Sequence, residues 1–195
     1  IDLRSEGKGL VPTAEWVKKH MLDGKWYPGN TANFSVGQGE LHVTPLQMAT
    51  VISLVANRGV SYKPHVVRAI VPADNTGKLK PIEPEVLGKV DASPEFWSAL
   101  QTALFHVIDG GTATRHAKIA GLRWAGKTGS AEKKGNQKTH SWFVAYAPLD
   151  DPKIAICVML ENAGHGGEEA APVAAEIVRH YLIDGPAKKK PATPE

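Results

Sequence analysis

Lys127-Thr128-Gly129-Ser130 sets a positive charge, two hydroxyls and a glycine side by side within RWAGKTGSAE, a segment that otherwise reads as a β-strand. Strand alternation puts Lys127 and Gly129 on one face and Thr128 and Ser130 on the other. A ligand common to all four must therefore lie along the strand edge, where unpaired N–H and C=O groups can pair with an extended chain. Gly129, lacking Cβ, permits close backbone approach. Lys127 supplies a charge suited to a carboxylate, and the Thr128 hydroxyl a second donor. The triplet alone also fits an ordinary strand with a surface lysine, so its surroundings must decide.

Those surroundings begin with helices. Thr13 caps a short predicted helix to about His20, and the rest of the first forty residues, rich in Gly, Pro, Lys and Trp, reads as loop and turn. VTPLQMATVISLVANRG predicts a strong helix with Thr44 as N-cap, Pro45 at the first helical position and Gly59 as terminator; its apolar face runs through Leu46, Ala49, Ile52 and Val55 or Ala56. One or two short strands are expected near residues 60 to 71, and NTGKLKPIEPE reads as a turn-rich excursion. Ser93-Pro94-Glu95 opens a second helix to about Ile108, ending at Gly110 and Gly111. From residue 119 the pattern turns to strands: IAGLRWAGKTGSAE, the polar loop KKGNQKT, HSWFVAYAP, a turn at LDDPK, and IAICVMLEN. This is an antiparallel three-strand meander, closed by the amphipathic helix VAAEIVRHYL. The fold class is α+β. A helical part is expected over about 1–118, a sheet part over about 119–183, and a disordered tail over 184–195.

Bulk properties narrow the function classes. The charge balance, 23 basic against 20 acidic residues, gives a net +3, and three of the lysines are Lys188 to Lys190 in the tail. A nucleic-acid surface needs a clustered basic face, so nucleic acid is not an expected partner. The single cysteine, Cys157, cannot form an internal disulfide and reads as a small buried hydrophobe. No stretch is apolar enough for a membrane span, and the start at Ile1, with neither an initiator methionine nor a signal-like segment, reads as a piece of something longer. The eight histidines lack HExxH or Cys/His ligand spacing, so no metal or other cofactor is expected. His165 reads as a turn residue before the last helix, and Trp142 as a packed aromatic. Gly110-Gly111-Thr112 is not a phosphate loop, because no strand leads into it.

Five ordered blocks give the Lys-Thr-Gly triplet its context. Lys127-Thr128-Gly129-Ser130, HSWFVAYAP at 140–148 and ENAGHGGEEAAPVAAEIVRHYL at 161–182 resemble the end of the transpeptidase domain of class B penicillin-binding proteins. IDLRSEGKGLVPT, NFSVGQGELHVTPLQMA at 33–49 and ANRGVSYKPHVV at 56–67 resemble the elongation-type branch of that family, penicillin-binding protein 2. The resemblance covers residues 1 to 183 and implies the C-terminal part of the fold shared by penicillin-binding proteins and serine β-lactamases. It implies a peptidoglycan D,D-transpeptidase: a serine attacks the D-Ala-D-Ala bond of a stem peptide, the last D-Ala leaves, and the acyl group passes to an amine of a neighbouring stem peptide. Penicillins and other β-lactams acylate the same serine. By the same resemblance Lys127 and Thr128 bind the terminal carboxylate, Gly129 lets the substrate backbone lie along the strand, and the Ser130 backbone N–H is half of an oxyanion hole.

Two of the family's three motifs have no counterpart here. Ser5-Glu6-Gly7-Lys8 has the Ser-x-x-Lys spacing, but Gly7 and Gly9 argue against the buried helix that would turn serine and lysine toward each other. No Ser-x-Asn occurs. In the family both motifs precede the IDL block, so the nucleophile and its lysine are expected upstream of Ile1 and the chain is expected to be inactive alone. The strand around 154 to 162 is expected to lack a neighbour, to be covered by a swapped copy, another chain or the missing N-terminal part. The family further implies an N-terminal membrane anchor, a location on the periplasmic face of the cytoplasmic membrane, and a membrane glycan polymerase as partner. The competing readings are a β-lactamase or β-lactam sensor of the same fold, or a non-catalytic module that holds peptides or proteins on its strand edge.

Overall fold

The computed structural model describes residues 1, 5–71, 79–132 and 138–185. Two compact units follow one another along the chain, Ile1–Trp97 and Ser98–Glu195.

In the first unit, capping chemistry places the helices. Thr13 Oγ1 accepts from the Trp16 N–H at 3.2 Å to start α1 (Ala14–His20). Residues expected to be loop form a further helix, α2 (Pro28–Ser35), with Pro28 in its first turn and the Asn30 side chain accepting from the Tyr27 N–H at 2.9 Å. Its sequence, PGNTANFS, has no apolar stripe and buries no residue, which is why periodicity does not reveal it. α3 (Pro45–Ala56) opens with a reciprocal box: Thr44 Oγ1 accepts from the Gln47 N–H at 3.1 Å, and Gln47 Oε1 from the Thr44 N–H at 2.9 Å. Such a cap contributes about 1 kcal/mol. Only Ile52 of its expected apolar face is fully buried. Gly59 ends the helix region at φ +99°, where an added Cβ would stand 2.4 Å from the Val90 carbonyl oxygen. Four short strands follow: β1 (Val60–Tyr62), β2 (Ala69–Ile70), β3 (Lys80–Pro81) and β4 (Val86–Lys89). They pair antiparallel as β1 with β4 and β2 with β3. Of these, β3 lies within the stretch expected to be turns, and β4 is short, fully exposed and without an apolar pattern.

α4 (Pro94–Ile108) spans the division between the units in sequence and is started by Ser93, whose Oγ accepts from the Phe96 N–H at 3.2 Å. In the second unit a short α5 (Thr114–Ala117) precedes the meander β5 (Ala125–Ala131), β6 (His140–Ala147) and β7 (Ile154–Leu160), antiparallel in that order. This is the expected sheet, with β5 at one edge and β7 at the other among the described residues. α6 (Ala170–Arg179) lies on it, presenting Ala170, Ala171, Ala174 and Val178, all fully buried, to Phe143, Ala145 and Val158 of the core. Trp124 anchors this core with no exposed surface: its ring meets Phe143 edge-on at 5.7 Å, and its indole N–H donates to the Ala117 carbonyl at 2.9 Å. Burying an indole is favourable only when that N–H is satisfied, as it is here. After α6 a wider π-type turn, His180–Asp184, carries the chain onward. The tail expected from residue 184 therefore begins with two described residues, and 186–195 lie outside the described residues. Cys157 sits partly buried on β7, and burial pushes its thiol up to about 11.

Candidate active site

β5 and β6 pair in register, Lys127 with Val144, Thr128 with Phe143, Gly129 with Trp142 and Ser130 with Ser141. Lys127 is exposed, and its Nζ donates to the Thr128 carbonyl at 2.6 Å. β5 is the edge strand of the sheet on this side, so the lysine stands at an edge.

The hydroxyl face is organised by residues from elsewhere in the unit. Thr128 Oγ1 is 2.9 Å from Thr112 Oγ1, so the Gly110-Gly111-Thr112 turn supports the strand from below. Ser130 Oγ lies 3.5 Å from His165 Nδ1 and 3.4 Å from the Gly166 N–H, which donates to it. Ser141, opposite Ser130 and fully buried, donates through Oγ to the His165 carbonyl at 3.1 Å and accepts from the Ala170 N–H at 3.1 Å. One buried hydroxyl therefore ties β6 both to the turn before α6 and to the first residue of α6.

The turn rests directly on the strand because it is made of glycine. A Cβ on Gly166 would stand 2.2 Å from the Trp142 carbonyl oxygen and 2.4 Å from that of Gly129; one on Gly167 would stand 2.4 Å from the Thr112 carbonyl oxygen. Gly129 itself is tight against β6, its added Cβ falling 3.2 Å from the Trp142 Cβ. Its lack of a side chain thus serves the packing of β5 on β6 as well as the edge.

The four expected residues share one strand but not one face. Lys127 is directed along the open edge, whereas the Thr128 and Ser130 side chains are held by Thr112, His165 and Gly166. Sequence reasoning did not assign Thr112, Ser141, Gly166 and Gly167 to the site; the signal available was the His-Gly-Gly two residues before a helix whose buried face is mostly alanine. His165 is exposed, as a turn residue should be, yet its ring contacts a candidate site residue. Trp142 is half-buried.

The Ser-x-x-Lys spacing at Ser5 is not helical: Ser5 has φ +67° and Gly9 φ +64°. The same spacing recurs at Ser130-Ala131-Glu132-Lys133, but Ser130 is a strand residue, and Lys133 lies outside the described residues. Among the described residues no group of three metal-ligating side chains gathers. A cleft of about 390 Å³ near Phe105, Ile108, Leu122 and Trp124 is mostly apolar, and the charges at its rim are engaged: Lys118 with Asp109, and Arg123 with Asp150 and over the Phe105 ring.

Residues 1–179 match the model of the penicillin binding protein transpeptidase domain. The chain belongs to that family. Among curated relatives, the peptidoglycan D,D-transpeptidase MrdA of Haemophilus influenzae is 34% identical over 93% of this penicillin-binding protein chain and 30% of its own length. The crystal structure of PBP2 from Pseudomonas aeruginosa, in complex with WCK 5153, superposes with a TM-score of 0.80 at 31% identity, covering 100% of this chain and 43% of that one. A structure described as a peptidoglycan synthase complex coordinating polymerization and crosslinking gives a TM-score of 0.79 at 29% identity, over 95% of this chain and 31% of that one. This chain therefore spans about a third of the length of the curated relatives it matches, and has the α+β fold of their transpeptidase domains.

Proposed function

We propose that this chain is the C-terminal part of a peptidoglycan D,D-transpeptidase of the elongation type, contributing the strand that holds the substrate. The observation that carries the reading is the edge strand β5, where an exposed lysine, a threonine hydroxyl and a glycine lie in sequence, within a chain whose residues 1–179 match the family. Lys127 and Thr128 bind the terminal carboxylate of the D-Ala-D-Ala stem peptide or of a β-lactam. Gly129 admits the ligand backbone, and the Ser130 N–H donates to the developing oxyanion.

The reaction exchanges one peptide bond for another. A serine in the rest of the protein gives up its proton and attacks the penultimate D-Ala carbonyl; the terminal D-Ala leaves as the free amine after taking a proton, and an ester remains. The amine of a second stem peptide then attacks that ester and releases the serine. A β-lactam opens its ring in the first step and keeps its leaving amine tethered. Neither Ser5 nor Ser130 stands on a helix with its spaced lysine, so the isolated chain is inactive by this reading. The intact protein is anchored at the outer face of the cytoplasmic membrane and works beside a glycan polymerase, with the edge of β7 covered by the rest of the polypeptide or a second copy. No helix among the described residues is long and apolar enough to cross a membrane.

The test is covalent labelling by fluorescent penicillin. The intact protein should form an SDS-stable adduct and the isolated chain should not. An unlabelled intact protein overturns the enzyme reading in favour of a peptide- or protein-binding module, and a labelled isolated chain overturns its predicted inactivity.

A further inference from the structure

We infer that Thr112 is a positioning residue for carboxylate recognition, acting through Thr128. The inference rests on the functional reading above, in which the Thr128 hydroxyl donates to the terminal carboxylate of a stem peptide or a β-lactam. A hydroxyl owns one hydrogen and two acceptor lone pairs. Thr128 can therefore give its hydrogen to a carboxylate only if its other partner is a donor.

Thr112 is that donor. The two hydroxyl oxygens lie 2.9 Å apart, and with a carboxylate bound to Thr128 the hydrogen between them must come from Thr112. Donation then runs one way, from Thr112 Oγ1 to Thr128 Oγ1 to the anion, and each bond polarises the next. The backbone that carries Thr112 is fixed on every side. A Cβ on Gly111 would fall 2.6 Å from the His106 carbonyl oxygen and 2.8 Å from the Val107 Cα, so the turn after α4 lies directly on the end of that helix. The N–H of the fully buried Ala113 donates to the Val107 carbonyl at 2.9 Å, and the Gly110 N–H donates to Thr114 Oγ1 at 2.8 Å, closing the turn across Thr112. The Thr112 carbonyl is packed against Gly167, where an added Cβ would stand 2.4 Å from its oxygen and 3.4 Å from the Thr128 Cγ2. Glycines 111 and 167 thus let the turn after α4 and the turn before α6 close on both threonines. Lys127 attracts a carboxylate through its charge, whereas a neutral hydroxyl contributes only when it is aimed.

Removing the aiming group should weaken the response to a carboxylate more than the response to its neutral counterpart. In the intact protein, Thr112→Val, which keeps the shape and lacks the hydroxyl, should slow acylation by benzylpenicillin about 5-fold, less than Thr128→Val does. Acylation by benzylpenicillin methyl ester, which brings no anion to the hydroxyl pair, should change by less than about 2-fold. Thr112→Ser, which keeps the hydroxyl, should respond like wild type to both. In the Thr128→Val background, Thr112→Val should add less than about 2-fold, because the group it aims is already gone. The acid-to-ester ratio is internal to each sample, so a variant that folds less well still reports. Equal slowing on acid and ester, a full loss of about 5-fold added to that of Thr128→Val, or wild-type acylation by Thr112→Val would overturn the inference and leave Thr112 a packing residue of its turn. Failure of the wild-type protein itself to acylate would instead overturn the functional reading on which it stands.

Discussion

β5 and β7 are the outer strands of one sheet, pair with the same central strand, and differ in nearly everything else. β7, Ile154–Leu160, is an unbroken apolar run, IAICVML, in which every residue is buried or half-buried. β5, Ala125–Ala131, begins buried at Ala125 and Gly126 and then opens into KTGSA, with one glycine, two hydroxyls and an exposed lysine. An edge position alone therefore does not make a site. On β7 the edge bears side chains suited to packing against further protein. On β5 the side chains that would blunt the edge are missing or folded away, and a glycine turn presses on the strand from the hydroxyl face.

The contrast is most sharply broken by giving that turn a side chain. Gly166→Ala places a methyl 2.2 Å from the Trp142 carbonyl, so the backbone of the turn or of β6 must shift. The expected result is a loss of about 3 kcal/mol in denaturant unfolding, together with loss of penicillin labelling. Lys127→Ala should leave unfolding within about 0.5 kcal/mol of wild type, as for an exposed residue, while slowing acylation of the intact protein by roughly 100-fold. Loss of folding without a specific acylation defect would return Lys127 to a structural role. Thr128→Val keeps the shape, removes the hydroxyl that meets Thr112, and should slow acylation by about 10-fold.

β7 should show the smallest effects. Cys157→Ser should cost no more than about 1.5 kcal/mol and leave acylation unchanged. With its thiol pushed up to about 11 by burial, Cys157 holds its proton more tightly when folded than when unfolded. Any stability tied to that proton is therefore present below the ordinary thiol range and is lost as the pH rises toward 11. Alkylation of the native protein by iodoacetamide should be slow at neutral pH and rise steeply above pH ~9; fast alkylation at neutral pH would show β7 to be open to solvent.

Elements with strong local signals were legible in the sequence. Thr13, Thr44 and Ser93 announced three helices, and alternation with turn residues announced the meander. The misses share a cause. α2 and β4 bury nothing, so no hydrophobic period marks them, and β3 is a two-residue strand held by its partner. At the candidate site, the strand residues were identifiable by type and order. Their supports were not: Thr112 and His165 lie 16 and 35 residues from the groups they touch, and Ser141 reads as one more strand residue until its buried hydroxyl is seen bridging two elements.

The alanine face of α6 acts as a spacer of fixed thickness. With only methyl groups at Ala170, Ala171 and Ala174, the helix lies as near the sheet as helix backbone can, and close packing leaves no slack for a longer side chain. The Ala170 N–H is bonded to Ser141 and the Ala171 N–H to the Gly166 carbonyl, so a helix pushed outward carries the turn with it. A bulkier residue at Ala174 would thus shift the Gly166 turn, and with it the support of β5, without touching any residue of that strand.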